Sequence, residues 1–138
     1  MSAVPMSPPV PYQARDLLGS AARGLLEAYA TPDPARRYAT AHLAALRAAA
    51  AVLAARAHPV RSGRIRSVWA LLPTVAPQLQ EWSAFFAANA TKRAAADAGL
   101  PVVSQREADD LVRDAESFLV QVAAVIGVDQ QAILPDEF

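Results

Sequence analysis

Apolar residues recur at steps of three and four along most of this 138-residue chain, and this spacing sets the fold class. It matches the turn of an α-helix, so each such segment carries one apolar face. Alanine dominates the apolar set, with runs at residues 48–51 and 94–96. Because alanine is the best helix former, composition and spacing agree. The sequence predicts an all-α domain.

Two helices with clear boundaries are predicted in the first half. The first runs from about Tyr12 to Ala30, and residues 31–34 (Thr-Pro-Asp-Pro) end it. Asp33 can cap the next helix, and Pro34 suits its first position, where a missing N–H costs nothing. This second helix runs to about Ala57, and a loop over residues 58–64 follows.

The middle of the chain contains two prolines that break the helical pattern. A short helix is expected from Ile65 to Leu72, then a kink or turn at Pro73 and Pro77. A further helix continues to about Ala90, and a last short piece covers residues 91–98. Four aromatic residues at helical spacing are interpreted as core, with a ligand pocket as the alternative: Trp69, Trp82, Phe85 and Phe86.

The helix near the C-terminus has the strongest local signals. Ser104 and Glu107 form a capping-box pattern, apolar residues follow at steps of three and four, and Gly127 closes the helix. Residues 12–127 are therefore predicted to form an antiparallel four- to five-helix up-and-down bundle, between a proline-rich tail (1–11) and a C-terminal tail (128–138). Apolar surface left over on the first or last helix would be buried in a homodimer.

Several classes of protein are disfavoured by what the sequence lacks. It contains no cysteine and only two histidines, so no zinc-ligand spacing occurs, and no metal or cofactor is expected. No signal peptide is visible, and no apolar run approaches the roughly 20 residues that span a bilayer. We expect a cytoplasmic protein without membrane contact. Its many arginines and alanines are typical of a bacterium with a GC-rich genome.

Charge is unevenly distributed, although the net charge is zero. Residues 1–93 carry a net charge of +7 and residues 94–138 one of −7. A basic cluster lies around the loop after the second helix, and cationic loops can hold an RNA or DNA backbone. The alternative is that these arginines pair with acids of the last helix (Asp109, Asp110 and Asp114). The candidate nucleic-acid-binding residues are Arg56, Arg61, Arg64 and Arg66.

Arg37 and His42 are the candidate catalytic pair. An imidazole can move a proton near neutral pH, and a guanidinium can stabilise a pentacoordinate phosphate, so the pair suits RNA cleavage. However, residues five apart on a helix are turned by about 140° from each other. Sharing one phosphate would need a distorted first turn or a second subunit. The alternative is that His42 hydrogen-bonds a neighbour beside the core and Arg37 is solvated.

The second helix and the segment that begins at residue 66 carry a family resemblance. The strings ARRYATAHLAALRAAAAVLAARAHP and RSVWALLPTVAPQLQEWSAFFAANA resemble the HEPN superfamily, in a small branch of stand-alone domains from high-GC bacteria. The resemblance covers about residues 14–127. It implies an antiparallel helical bundle that dimerises, and in many members a metal-independent RNase of toxin–antitoxin or defence systems. The family's active site is an arginine and a histidine separated by four to six residues and brought together across the dimer.

Arg37 and His42, with four residues between them, match the family's spacing. The family's pair normally lies toward the last long helix, which here has Arg106 and Arg113 but no histidine. We therefore expect a non-catalytic HEPN-type bundle that dimerises and binds a protein or nucleic-acid partner, encoded nearby if it is a protein. One alternative is a metal-independent endoribonuclease that uses Arg37 and His42. Another is a protein-binding adaptor whose tail, residues 130–138, docks elsewhere.

Overall fold

The computed structural model describes residues 10–56 and 65–127, apart from the side chains of 65–67. Within that part the chain forms helices and no strands, which confirms the all-α prediction. A 3₁₀ turn covers Pro77–Leu79. The six α-helices are α1 (Tyr12–Ala30), α2 (Pro34–Ala55), α3 (Ile65–Val75), α4 (Gln80–Ala88), α5 (Ala90–Asp97) and α6 (Gln105–Ile126).

The turn between α1 and α2 forms as its residues predict. The Asp33 side chain accepts a hydrogen bond from the Arg36 amide at 3.0 Å, and Pro34 begins the helix. The reversal sets α1 antiparallel to α2. Gly24 lies where the two helices touch, because a Cβ built on it would come within 3.3 Å of the Ala44 Cβ. Small residues on both sides thus allow an unusually close approach.

α2 is the central helix of the bundle, and it runs parallel to α6. Arg37 near the start of α2 pairs with Asp109 near the start of α6. Arg56, just after α2, donates to the Val125 carbonyl at the end of α6. Alternate helices of an up-and-down bundle are parallel in this way. α2 is long and apolar enough to cross a membrane by composition, but 56% of that stretch is buried inside the bundle, as expected of a core helix.

α3 continues three residues past the predicted end at Leu72 and includes Pro73. Proline has no N–H, so the Trp69 carbonyl one turn earlier loses its helical donor. The buried Ser83 hydroxyl of α4 donates to that carbonyl instead. A side chain from the next helix therefore lets α3 tolerate the proline, which is why the expected early end was wrong.

α6 begins and ends as predicted. The Ser104 side chain accepts from the Glu107 amide, and the Glu107 carboxylate accepts from the Ser104 amide, each at 3.1 Å. Gly127 closes the helix with a positive φ of 77°. The predicted tails, apart from residues 10–11, lie outside the described residues, as does the loop from residue 57 to residue 64. One face of α6 is buried throughout: Ala108, Leu111, Val112, Ala115, Phe118, Leu119, Val122 and Ala123.

Candidate functional site

His42 lies in the core of the bundle. Only 1% of the residue is exposed. Its ring meets the rings of Trp69 and Phe86 edge to face, with centroids 6.0 Å and 5.6 Å away. Its Nε2 lies 2.9 Å from the Phe86 carbonyl oxygen. Since a carbonyl only accepts, this contact places a proton on Nε2.

Burial also decides the charge of this imidazole. Desolvation lowers the pKa of His42 below its usual 6.5, against the opposing effect of the Phe86 hydrogen bond. The ring is therefore neutral at pH 7. A general base must come within hydrogen-bond reach of the proton that it moves. In this bundle, α2, α3 and α4 enclose the ring, so no phosphodiester can reach it without their separation.

Arg37 is held in place by three groups. Its guanidinium pairs with Asp109 of α6 and donates to the carbonyls of Thr31 at 2.8 Å and Tyr29 at 3.1 Å. Its side chain is only 18% exposed. Hydrogen bonds from Gln105 and Arg37 lower the pKa of Asp109, so this carboxylate is ionised at neutral pH. The expectation that Arg37 is solvated was wrong, because its guanidinium joins the α1–α2 turn to α6.

The two candidate catalytic residues therefore lie in different environments. Arg37 is at the seam between the α1–α2 turn and α6, whereas His42 is enclosed by α3 and α4. Their five-residue separation on a regular helix turns the side chains apart, as the sequence predicted. Within one chain the bundle does not bring them together. Asp109, the partner that fixes Arg37, was not recognised as such from the sequence.

The predicted basic cluster is only partly described. Arg56 donates to the carbonyls of Val75 and Val125, at 3.3 Å and 3.4 Å, and so joins the ends of α3 and α6. The predicted pairing of Arg56 with acids of α6 is wrong, because its contacts in the structure are main-chain carbonyls. Arg61 and Arg64, with the side chain of Arg66, lie outside the described residues.

Aromatic side chains from α3, α4 and α6 pack around Phe86. Trp69 and Trp82 stack on its ring, with centroids 5.2 Å and 6.0 Å away. Phe118 of α6 also contacts it, at 5.2 Å. The interpretation of this aromatic set as core is confirmed for Trp69 and Phe86, which are 5% and 0% exposed. Phe85 differs, because 37% of it is exposed.

A cleft of about 560 Å³ lies beside the exposed edge of this cluster. Trp82, Phe85, Glu81 and Asp114 are among the residues that line it. Desolvation, and next the charge of Asp110, raise the pKa of Asp114. The carboxylate of Asp114 therefore lies in a less favourable environment than that of a fully solvated aspartate.

A larger groove of about 860 Å³ lies on the opposite side of α4, between α3 and α5. Its walls are mostly small and apolar, and Arg93 is the one charged side chain among the described residues that line it. Trp69 lines it as well, and its buried indole N–H has no hydrogen-bond partner in the part of the chain that the structure describes. Ala84, Ala87 and Ala94 line the groove and are exposed, but helical spacing does not separate an exposed alanine from a core one, so sequence reasoning missed this groove.

Residues 10–56 and 65–127 include no cluster of three or more histidine, aspartate or glutamate side chains that could hold a metal ion.

Comparison with known proteins identifies the fold family. The family model described as SAV_6107-like HEPN matches residues 28–123, which is well over half of the chain. No curated protein and no solved structure gives a significant match. The matched range includes the last three residues of α1, all of α2, α3, α4 and α5, and α6 as far as Ala123. On this match and on its all-helical bundle, the chain belongs to the HEPN superfamily.

Proposed function

We propose that this chain is a non-catalytic HEPN domain that dimerises and binds a protein or nucleic-acid partner. The observation that carries the proposal is the state of His42, which is buried, neutral and bonded to a main-chain carbonyl. Arg37 supports it, because a guanidinium held by a carboxylate and two carbonyls is not available to stabilise a phosphate. Both residues have structural roles that account for their presence.

Support for the dimer comes from apolar surface on α1 and α2. Leu26 of α1 and Leu43 of α2 are 37% and 40% exposed. Burying such side chains against a second copy removes apolar surface from water. We expect light scattering to give the mass of a homodimer.

A pair of substitutions tests that interface. Leu26→Glu with Leu43→Glu should shift the protein to monomer without unfolding it, because both side chains are already partly in water. Leu100→Glu is the matched control, since Leu100 is 51% exposed but lies in the α5–α6 connection. A wild-type monomer at high micromolar concentration, or dissociation caused equally by the control, would rule out this dimer.

A nucleic-acid partner is supported by the basic first part of the chain, whose net charge is +7 over residues 1–93. If the basic cluster contacts phosphates, affinity for RNA or DNA should fall steeply with salt, and Arg61→Ala with Arg64→Ala should flatten that dependence. Binding that ignores salt, or its absence at low salt, would favour a protein partner instead.

The alternative function is a metal-independent endoribonuclease that uses Arg37 and His42. Membership of the HEPN superfamily and the four-residue spacing favour it. It would require a second subunit or an opening of α3 and α4 to expose the imidazole. Incubation of the purified dimer with single-stranded RNA in EDTA tests it directly. We expect intact RNA, and cleavage that both Arg37→Ala and His42→Ala remove would establish the enzyme.

A further inference from the structure

The groove between α3, α4 and α5 is an exposed apolar surface that the bundle leaves uncovered. Its floor and walls include Ala84, Ala87 and Ala94, together with Pro73 and the Trp69 indole. Among the residues that the structure describes, none of those lining it is acidic, and Arg93 contributes a positive charge. The guanidinium of Arg93 lies 3.8 Å from the carboxylate of Asp97. Because the Asp97 side chain is 69% exposed, that ion pair is weak. An apolar segment with acidic residues beside it would complement this surface.

The chain itself contains such a segment. Residues 128–138 read Val-Asp-Gln-Gln-Ala-Ile-Leu-Pro-Asp-Glu-Phe, in which the apolar Ile133 and Leu134 precede Asp136 and Glu137. Pro135 biases the residue before it towards an extended conformation, which suits a peptide lying along a groove. The apolar pair suits contact with the alanine walls, and the acidic residues are opposite in charge to Arg93.

The bundle places the start of this segment near the groove. One guanidinium, that of Arg56, bonds the carbonyl of Val75 at the end of α3 and that of Val125 at the end of α6. Pro73, which lines the groove, is two residues from Val75. The seven residues from Gly127 to Leu134 can extend about 23 Å, which exceeds the roughly 13 Å length of α4, so the segment is long enough to enter the groove from its Pro73 end.

We propose that residues 128–138 fold back onto their own bundle and dock in the α3–α4–α5 groove, with Ile133 and Leu134 against its alanines and Asp136 or Glu137 beside Arg93. The inference goes beyond the proposed function, and it holds whether or not the chain dimerises or binds a partner.

Crosslinking tests it cleanly, because the natural chain has no cysteine. The full-length double variant Ala87→Cys with Leu134→Cys places one thiol in the groove and one in the segment. Its matched control is Arg23→Cys with Leu134→Cys, since Arg23 is exposed on α1, away from the groove. Under mild oxidation we expect a fast intrachain disulfide in the first variant and little in the control. Equal rates in both variants, no bond in the first, or a disulfide-linked dimer would overturn docking within one chain.

Charge provides a second measurement in the Ala87→Cys, Leu134→Cys background. Arg93→Glu should slow disulfide formation by about two- to fivefold, the range of an exposed ion pair, while Arg93→Lys should leave it nearly unchanged. A rate that Arg93→Glu does not alter would remove the acidic residues from the proposal. Neither measurement depends on RNA cleavage or on subunit mass. The docking of the segment and the proposed function are therefore tested independently.

Discussion

Replacement of His42 by alanine should destabilise the bundle severely. The substitution removes an imidazole that is almost fully buried, makes two edge-to-face ring contacts and donates to the Phe86 carbonyl. Aromatic pairs contribute about 0.5–1.5 kcal/mol each, and a buried hydrogen bond about 1 kcal/mol. The free energy of unfolding should therefore fall by about 3 kcal/mol, consistent with other large-to-small changes in cores.

A loss of this size is readily measured. For a domain of this length it corresponds to a melting temperature lower by roughly 10 °C, and to an earlier midpoint in urea with an unchanged slope. Circular dichroism at 222 nm reports both. Arg106→Ala is the control, because the Arg106 side chain lies on α6 and is 90% exposed. It should leave the unfolding curve nearly unchanged.

Arg37→Ala completes the comparison. Loss of its hydrogen bonds to the Thr31 and Tyr29 carbonyls should lower the free energy of unfolding by about 1–2 kcal/mol. A catalytic pair would behave differently, since two residues that act as one unit lose activity together while stability is preserved. EDTA-resistant RNA cleavage that disappears in both variants, with unchanged melting temperatures, would refute the structural roles argued for them.

Other predictions test the packing, the capping and the buried charges. Gly24→Leu should lower the free energy of unfolding by about 3 kcal/mol or more, because a larger side chain forces α1 and α2 apart. Gly19→Ala should instead raise it by up to about 1 kcal/mol through helix propensity. Similar thermal shifts for both variants would contradict the close contact. Ser104→Ala should lower stability by about 1 kcal/mol in urea titrations, and no loss would mean that the capping box adds nothing. Burial raises the pKa of Asp114, so folding favours its protonated form. Asp114→Asn should therefore raise the melting temperature at pH 7 but not near pH 3, where wild-type Asp114 is protonated too. An equal gain at both pH values would exclude a charge effect. The pKa of His42 is lowered in the folded state, so its contribution to the free energy of unfolding is present above pH 6.5 and is lost as the pH falls below that value. Urea titrations at pH 7.5 and pH 5 should show this loss of stability. If His42→Ala loses as much stability between the two pH values, another group is responsible.

Local sequence determined the helices because their signals are local. A capping aspartate followed by proline begins α2, and the Ser104–Glu107 capping box begins α6. Both depend on hydrogen bonds between residues three apart, which the sequence displays directly. The burial of one face of α6 follows equally from spacing. The all-α architecture and the likeness to the HEPN superfamily could therefore be predicted from the amino-acid sequence alone.

Only the tertiary structure decided what the charged and polar side chains do. Arg37 was expected to be solvated, and it is bound by Asp109, 72 residues away in sequence. If not bound to a nucleic acid, Arg56 was expected to pair with acids of α6, and it bonds two carbonyls at helix ends instead. Helical spacing predicts which face a residue occupies but not which distant group the fold places opposite it.

The same distinction applies to Pro73 and His42. A proline near a helix end predicts a break, and α3 continues past it because Ser83, ten residues later, supplies the missing donor. A histidine beside an apolar stripe is compatible with catalysis or with core packing, and spacing alone does not separate them. The rings of Trp69 and Phe86 and the Phe86 carbonyl do, because together they exclude water and fix the imidazole in its neutral form. Hydrogen-bond partners and desolvation arise when helices pack, so the chemistry of this site is a property of the bundle rather than of α2.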